Sequence, residues 1–243
     1  MKFPDPLIRG RLIKRYKRFL ADVELEGGPD HGKIVTAHCA NSGSMLSVNE
    51  PGAEVWISPA RNPDRKLKFT WEMIRIGRTL VGINTSHPNG LVADAIAAGR
   101  IPELVGYASL RREVKYGENS RIDILLEKEG PDAGEKCYVE VKNVTMKRDL
   151  AKNAPVEFPD GVTARGAKHL VELGNMVRQG HRAVMMYLVQ RTDSPSFVIA
   201  ADIDPKYAKG LVTARKAGVE VLCYGCRVTN QNITVTGPVP LAF

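Results

Sequence analysis

Two short stretches of this chain carry side chains that can do chemistry together. Arg121 to Glu127 reads Arg-Ile-Asp-Ile-Leu-Leu-Glu, and after a polar turn Cys137 to Val144 reads Cys-Tyr-Val-Glu-Val-Lys-Asn-Val. Each alternates polar and apolar residues with period two and is rich in β-branched and aromatic types, which predicts two strands. Between them, Gly130-Pro131-Asp132-Ala133-Gly134 cannot continue a strand, so the pair is expected to form a hairpin. Period two puts Glu140 and Lys142 on one face of the second strand and Val139 and Val141 on the other. With Asp123 on the matching face of its partner, two carboxylates and an ammonium converge on one small volume.

Asp123, Glu140 and the backbone carbonyl of Val141 are hard oxygen ligands of the kind Mg²⁺ or Mn²⁺ accepts while keeping several waters. Lys142 beside such an ion can hold or deprotonate an attacking water, or stabilise charge on a phosphate, and the implied reaction is phosphodiester hydrolysis. The ordinary alternative is a surface hairpin with a cross-strand ion pair, which stabilises by about 0.2–1 kcal/mol. A second tripeptide of the same kind, Glu113-Val114-Lys115, precedes Asp123 in a strand-like run from Arg112 to Tyr116. It has no acid-bearing strand at hairpin spacing before it. Glu140 and Lys142 are therefore the preferred catalytic pair, with Glu113 as a further acid reaching the site from a third strand.

The 243 residues suffice for one large or two small domains. Hydrophobic residues make up 43% and charged residues 26%, as in ordinary soluble proteins. No apolar run is long enough to span a bilayer, which argues against a membrane protein. Met1 to Pro6 has no apolar core of the signal-peptide type, and four cysteines are too few for a disulfide framework, so a cytoplasmic location is expected. A net charge of +8 favours a polyanionic partner. The cations cluster at the start: Lys2, Arg9, Arg11, Lys14, Arg15, Lys17 and Arg18 fall within the first eighteen residues, opposed by Asp5 alone. Interleaved with Leu7, Ile8, Leu12, Ile13, Tyr16 and Phe19, they predict one or two strands with a cationic face, either solvated or laid against phosphates.

Further strands are expected at Ala21–Leu25, Lys33–Cys39, Glu54–Ser58 and Lys66–Ile76, broken by Gly and Pro. That spacing suggests a small barrel of the oligonucleotide-binding (OB) type over residues 1–83. Tyr16, Trp56, Phe69 and Trp71 would serve it either as core or as stacking faces. Composition changes near Gly82. A helix is predicted from Leu91 to Gly99, with Asp94 on it, then the acidic hairpin, a loop from Lys147 to Asp160, and an amphipathic helix from Thr163 to Arg178. On that helix Arg165 and Lys168 are candidates for holding a phosphate or plain helix-surface charges, and His169 reads as a packed or exposed histidine rather than a ligand, since no second histidine lies at metal spacing. Ala183–Val189 is a buried strand, Phe197–Ala201 another, Tyr207–Ala217 a helix, and Val219–Tyr224 a strand that closes the sheet. Cys223 and Cys226 form a lone CxxC pair, weak support for zinc.

Several of these segments resemble the sugar fermentation stimulation protein A (SfsA) family. They are Arg11 to Val23, His38-Cys39-x-Asn41-Ser42-Gly43-x-Met45, Glu113 to Gly117, Ser120 to Asp123, Tyr138 to Lys142, Phe158 to Leu170 and Asp204-Pro205-x-Tyr207-Ala208. The resemblance runs almost end to end. It implies a cytosolic DNA-binding protein linked to sugar (maltose) metabolism, with an OB-like barrel followed at 84–243 by an α/β domain similar to PD-(D/E)xK nucleases. Residue by residue, the nuclease pattern lands on Asp123, Glu140 and Lys142. Ile122 stands where the pattern has proline, and Asp94 stands where the superfamily often has a helical Glu, with Glu113 competing for that role. The expected function is DNA binding, with RNA as a further partner, and Mg²⁺- or Mn²⁺-dependent hydrolysis in the second domain. The alternative is a non-catalytic DNA-binding regulator that keeps the fold.

Overall fold

The computed structural model describes residues 1–117 and 120–243. Its first sheet contains β1 (Ile8–Tyr16), β2 (Leu20–Leu25), β3 (Ile34–Cys39), β4 (Glu54–Pro59), β5 (Phe69–Ile76) and β6 (Thr79–Gly82). The order is β3-β2-β1-β4-β5-β6, and a parallel pairing of β3 with β5 closes it into the expected OB-like barrel. In β1 the alternation does the work: Gly10 and Leu12 face inward while Arg9 and Arg11 face water. Gly10 must be glycine, because a Cβ there would lie 2.5 Å from the Glu24 carbonyl oxygen across the β1–β2 ladder. Trp71 is wholly buried among Leu12, Val23 and Ile74, and its indole N–H donates to the Met73 carbonyl at 2.9 Å. Trp71 and the nearly buried Trp56 are therefore core, not stacking platforms. The strand at 79–82 escaped the sequence reading because four residues are too few to show a period.

The second sheet has the order β14-β13-β11-β9-β8-β7. Its strands are β7 (Ser109–Tyr116), β8 (Ser120–Glu127), β9 (Lys136–Val144), β11 (Arg182–Val189), β13 (Glu220–Val228) and β14 (Ile233–Pro238). β8 and β9 form the expected hairpin, whereas β9, β11 and β13 run parallel. Helix α1 (Pro88–Ala97) packs on one face, and α2 (Ala164–Arg178) with α3 (Pro205–Lys216) on the other. β9 and β11 lie between these layers, which is why Arg182–Val189 reads as an unbroken apolar run.

Three expectations are corrected here. β13 does not close the sheet, because β14 pairs antiparallel beyond it. The segment read as a loop before Asp160 contains β10 (Val156–Phe158), paired in parallel with β12 (Phe197–Ile199). Cys223 and Cys226 both lie inside β13 and belong to opposite core layers, so they cannot share an ion. Burial pushes each thiol up to about 12, as expected of inert core cysteines. Among the described residues no helix is long and apolar enough to cross a membrane.

Candidate active site

Asp123 sits where β8 turns over. Residues two apart on a regular strand share a face, yet Ile122 packs with Tyr116 and Tyr138 under α2 while Ile124 packs with Leu91 and Val139 under α1. Opposite the turnover, Glu113 of β7 adopts a left-handed φ of 54°. The break frees the Asp123 carboxylate to take over a main-chain partner: its Oδ2 accepts the Val141 N–H at 2.7 Å. Its Oδ1 accepts the Asn89 side-chain amide of α1 at 2.8 Å, and the same amide donates to Glu113 Oε1 at 3.0 Å. Asn89 thus gathers two acids from adjacent strands.

Glu140 lies deeper, 1% exposed. Its Oε1 accepts the Lys142 ammonium at 2.6 Å and is in hydrogen-bond contact with His169 Nδ1 of α2. Arg165, one turn earlier on the same helix face, donates from Nε to His169 Nε2 at 3.3 Å. Since Nε2 must then accept, the imidazole carries its proton on Nδ1 and donates it to Glu140. Thr163 fixes the start of α2: its hydroxyl accepts the Gly166 N–H at 2.9 Å, and its own N–H donates to Asp204 at 2.8 Å. The other oxygen of Glu140, Oε2, is buried and has no hydrogen-bond partner among the described residues.

The two carboxylates titrate in opposite directions. Burial, reinforced by the nearby charge of Glu140, pushes the Asp123 carboxyl up to about 6. For Glu140 burial also pushes upward, but the His169 hydrogen bond and the Lys142 charge outweigh it and hold the group below its ordinary value. These groups line one side of a cavity of about 360 Å³. The barrel supplies another wall through Asn41, Ser42 and Gly43.

Arg15 holds that wall. Its guanidinium donates to the carbonyls of Asn41 and Gly43, each at 2.9 Å, of Arg18 at 3.1 Å and of Ser44 at 3.4 Å. Its donors are thus spent on main chain. Arg15→Ala is expected to loosen the 41–44 loop and to cost about 1–3 kcal/mol in urea unfolding; an unchanged midpoint would contradict the clamp.

Of the other cations expected to meet nucleic acid, Arg11 pairs with Glu26 at 2.7 Å and Lys14 approaches Asp22 at 3.8 Å. Lys168 lies 3.6 Å from Glu172. Lys17 and Arg18 form the tip of the β1–β2 hairpin at left-handed φ angles of 48° and 62°, with no carboxylate in ion-pair range among the described residues.

Asp94 is exposed on α1, away from this cluster, so Glu113 is the acid that shares a partner with Asp123. His169, read as packing, proves to touch both Glu140 and Lys142; its i, i+4 spacing from Arg165 was the signal available. Asn89 and the 41–43 loop carried no signal that would have tied them to the hairpin. Among the described residues no group of three or more His, Cys, Asp and Glu side chains is arranged to hold a metal ion. The Asp123 carboxylate, the orphaned Oε2 of the Glu140 carboxylate and the Val141 carbonyl nevertheless fit a hard cation that keeps much of its water.

An OB-like barrel joined to an α/β domain with an acidic, lysine-bearing cleft defines the class. Residues 13–83 match the SfsA N-terminal OB domain and residues 86–232 the sugar fermentation stimulation protein RE domain, and the chain belongs to the SfsA family. It is 62% identical to the sugar fermentation stimulation protein homolog of Rhodospirillum rubrum, over 99% of each chain. It is 57% identical to the homolog of Paramagnetospirillum magneticum, over 99% of this chain and 98% of the other. Its fold matches the structure of Pyrococcus furiosus SfsA in complex with Ca²⁺ with a TM-score of 0.85, at 24% identity, over 100% of this chain and 98% of that one.

Proposed function

We propose that this protein binds DNA and hydrolyses phosphodiester bonds in its second domain with the help of a divalent cation, Mg²⁺ or Mn²⁺. The observation that carries the reading is the convergence of Asp123, Glu140 and Lys142 at one cavity, with a buried Glu140 oxygen left unpaired. Asp123, Glu140 and the Val141 carbonyl would hold the ion, which supplies Lewis acidity and a more acidic water. Asn89 orients Asp123, and His169 orients Glu140. The Lys142 ammonium stands where it can donate to an attacking water or neutralise a phosphate oxygen, and Arg165, exposed at the rim, can bind the neighbouring phosphate. The Ca²⁺ bound by the Pyrococcus furiosus protein is the same class of hard cation and supports this reading.

One observation favours a binding protein without turnover: Glu140 Oε1 is already engaged by both Lys142 and His169. Cleavage separates the two, and melting with and without cation tests the ligand set that the nuclease reading needs. At saturating Mn²⁺ the wild type is expected to melt about 5–10 °C higher, and Asp123→Asn to lose most of that rise. No rise in the wild type, or an equal rise in the variant, would remove the proposed ligand set.

A further inference from the structure

The acid cavity does not end at its own rim. A second cavity, of about 490 Å³, lies between the β1–β2 hairpin of the barrel and the loop that leads into α2, and is lined by Arg15, Arg18, Val162 and Thr163 among others. The two cavities share Ser42, Gly43, Phe158 and Asp160 as lining residues. They meet where the two domains are fastened: Asp160 Oδ2 accepts the Met45 N–H at 2.8 Å, and the Ser44 hydroxyl donates to the Asp160 carbonyl. The approach is close: a Cβ on residue 43 would lie 2.9 Å from Asp160 Oδ2, so a larger residue there would displace the Asp160 carboxylate.

We infer that this saddle is the track of a single DNA strand, which runs from the acid cavity across Gly43 and Asp160 into the second cavity. The inference rests on the nuclease reading for the direction of travel and adds the substrate class. Four observations support it. Cations stand at both ends, Arg165 at the first cavity and Arg18 at the second, and Arg18 has no carboxylate partner among the described residues. Apolar surface suited to an unstacked base is exposed in the second cavity at Val162, 79% exposed, and Phe19, 49% exposed, follows Arg18 in the hairpin. Among the described residues five non-glycine residues have positive φ, and four of them, Lys17, Arg18, Met45 and Ser47, lie in the two barrel segments that border the track. Strained backbone of this kind gathers where a ligand must be met. Finally, the cavity of about 360 Å³ is of nucleotide size and holds a Glu140 that is only 1% exposed, and a group so buried is reached by a nucleotide taken out of the helix rather than by a paired one.

A duplex would therefore engage the site only through a frayed end, a tail or an unpaired segment. Ser42 is exposed and lines both cavities without touching the acids, so Ser42→Trp would obstruct the track. The test is fluorescence anisotropy with a labelled duplex bearing a single-stranded tail, set against the blunt duplex, at fixed salt and with Ca²⁺. The wild type is expected to bind the tailed duplex about tenfold more tightly or better, the equivalent of one or two stacking or phosphate contacts. Ser42→Trp, and independently Arg18→Glu, are expected to abolish that preference at an unaltered melting temperature. Equal binding of tailed and blunt DNA by the wild type, or an undiminished preference in both folded variants, overturns the track. Cleavage of blunt and tailed DNA at equal rates would leave the nuclease standing and remove the track. Tail preference lost in the variants, with no cleavage of anything, would leave the track standing and remove the nuclease.

Discussion

Replacing Glu140 by Gln is expected to lower metal-dependent cleavage by about a thousandfold or more, a loss set by removing a cation's buried anionic ligand from a water-poor site. The carboxylate does three things at once. It presents an unpaired buried oxygen to the cavity, anchors the Lys142 ammonium at 2.6 Å and accepts from His169. Glutamine keeps the shape, and its carbonyl oxygen can accept from Lys142 and His169 as Oε1 does, but that puts an N–H₂ donor where the unpaired Oε2 faces the cation. The variant should also be less stable, because Lys142 loses its counter-charge in a half-buried place. Stripping one partner from a buried pair costs about 3–5 kcal/mol, and the partial exposure of Lys142 puts this case toward the lower end. Quench-flow or gel assays read the first effect and urea unfolding the second. Retained cleavage at one tenth of the wild-type rate would show that Glu140 is not a ligand.

The second large effect is a pH dependence centred on Asp123. Its carboxyl is pushed up to about 6 by burial and by Glu140. Below that pH a cation must displace a proton to bind. Cation affinity is therefore expected to fall about tenfold for each pH unit below 6 and to level off above it. For the metal-free protein the sign is the reverse of the usual carboxylate case. The folded state holds this proton more tightly than the unfolded state, so the group's contribution to stability declines as pH rises from about 4 to about 6. It costs up to about 3 kcal/mol above that window. A bound cation cancels the cost. Mn²⁺ titrations by calorimetry between pH 5 and 8 measure the first trend, and a flat affinity across that range would contradict the assignment of Asp123.

The acidic hairpin was legible in the sequence because each of its strands is long enough to show a period and its turn contains residues no strand tolerates. Glu140 and Lys142 share a face for that reason alone. Asp123 is different. It reaches the site because β8 turns over beside it, a break that alternation cannot announce, since Ile122 and Ile124 are equally apolar. His169 looked like packing because its role depends on how α2 crosses β9, a tertiary fact with no local trace except its spacing from Arg165. The cationic first strand was visible as composition, but which cations are free was not. Arg11 and Lys14 meet carboxylates from β2 and its flanks, Arg15 is consumed by four carbonyls, and the hairpin tip at Lys17 and Arg18 has no carboxylate partner among the described residues. The succession of a small barrel and an α/β domain was anticipated. That the barrel's 41–43 loop walls the acid cavity was not, because the contact joins residues more than a hundred positions apart, as the Met45–Asp160 hydrogen bond illustrates.

The most direct test of the central claim is cleavage of a labelled panel of single-stranded, duplex and branched DNA and RNA with Mn²⁺ or Mg²⁺, run with the wild type and with Lys142→Ala. Cation-dependent cleavage by the wild type, reduced at least a hundredfold or so in the variant, is the expected result. Binding of DNA by both proteins with no cleavage by either, across the panel and both cations, would contradict it and leave a DNA-binding protein that keeps the acids for another purpose.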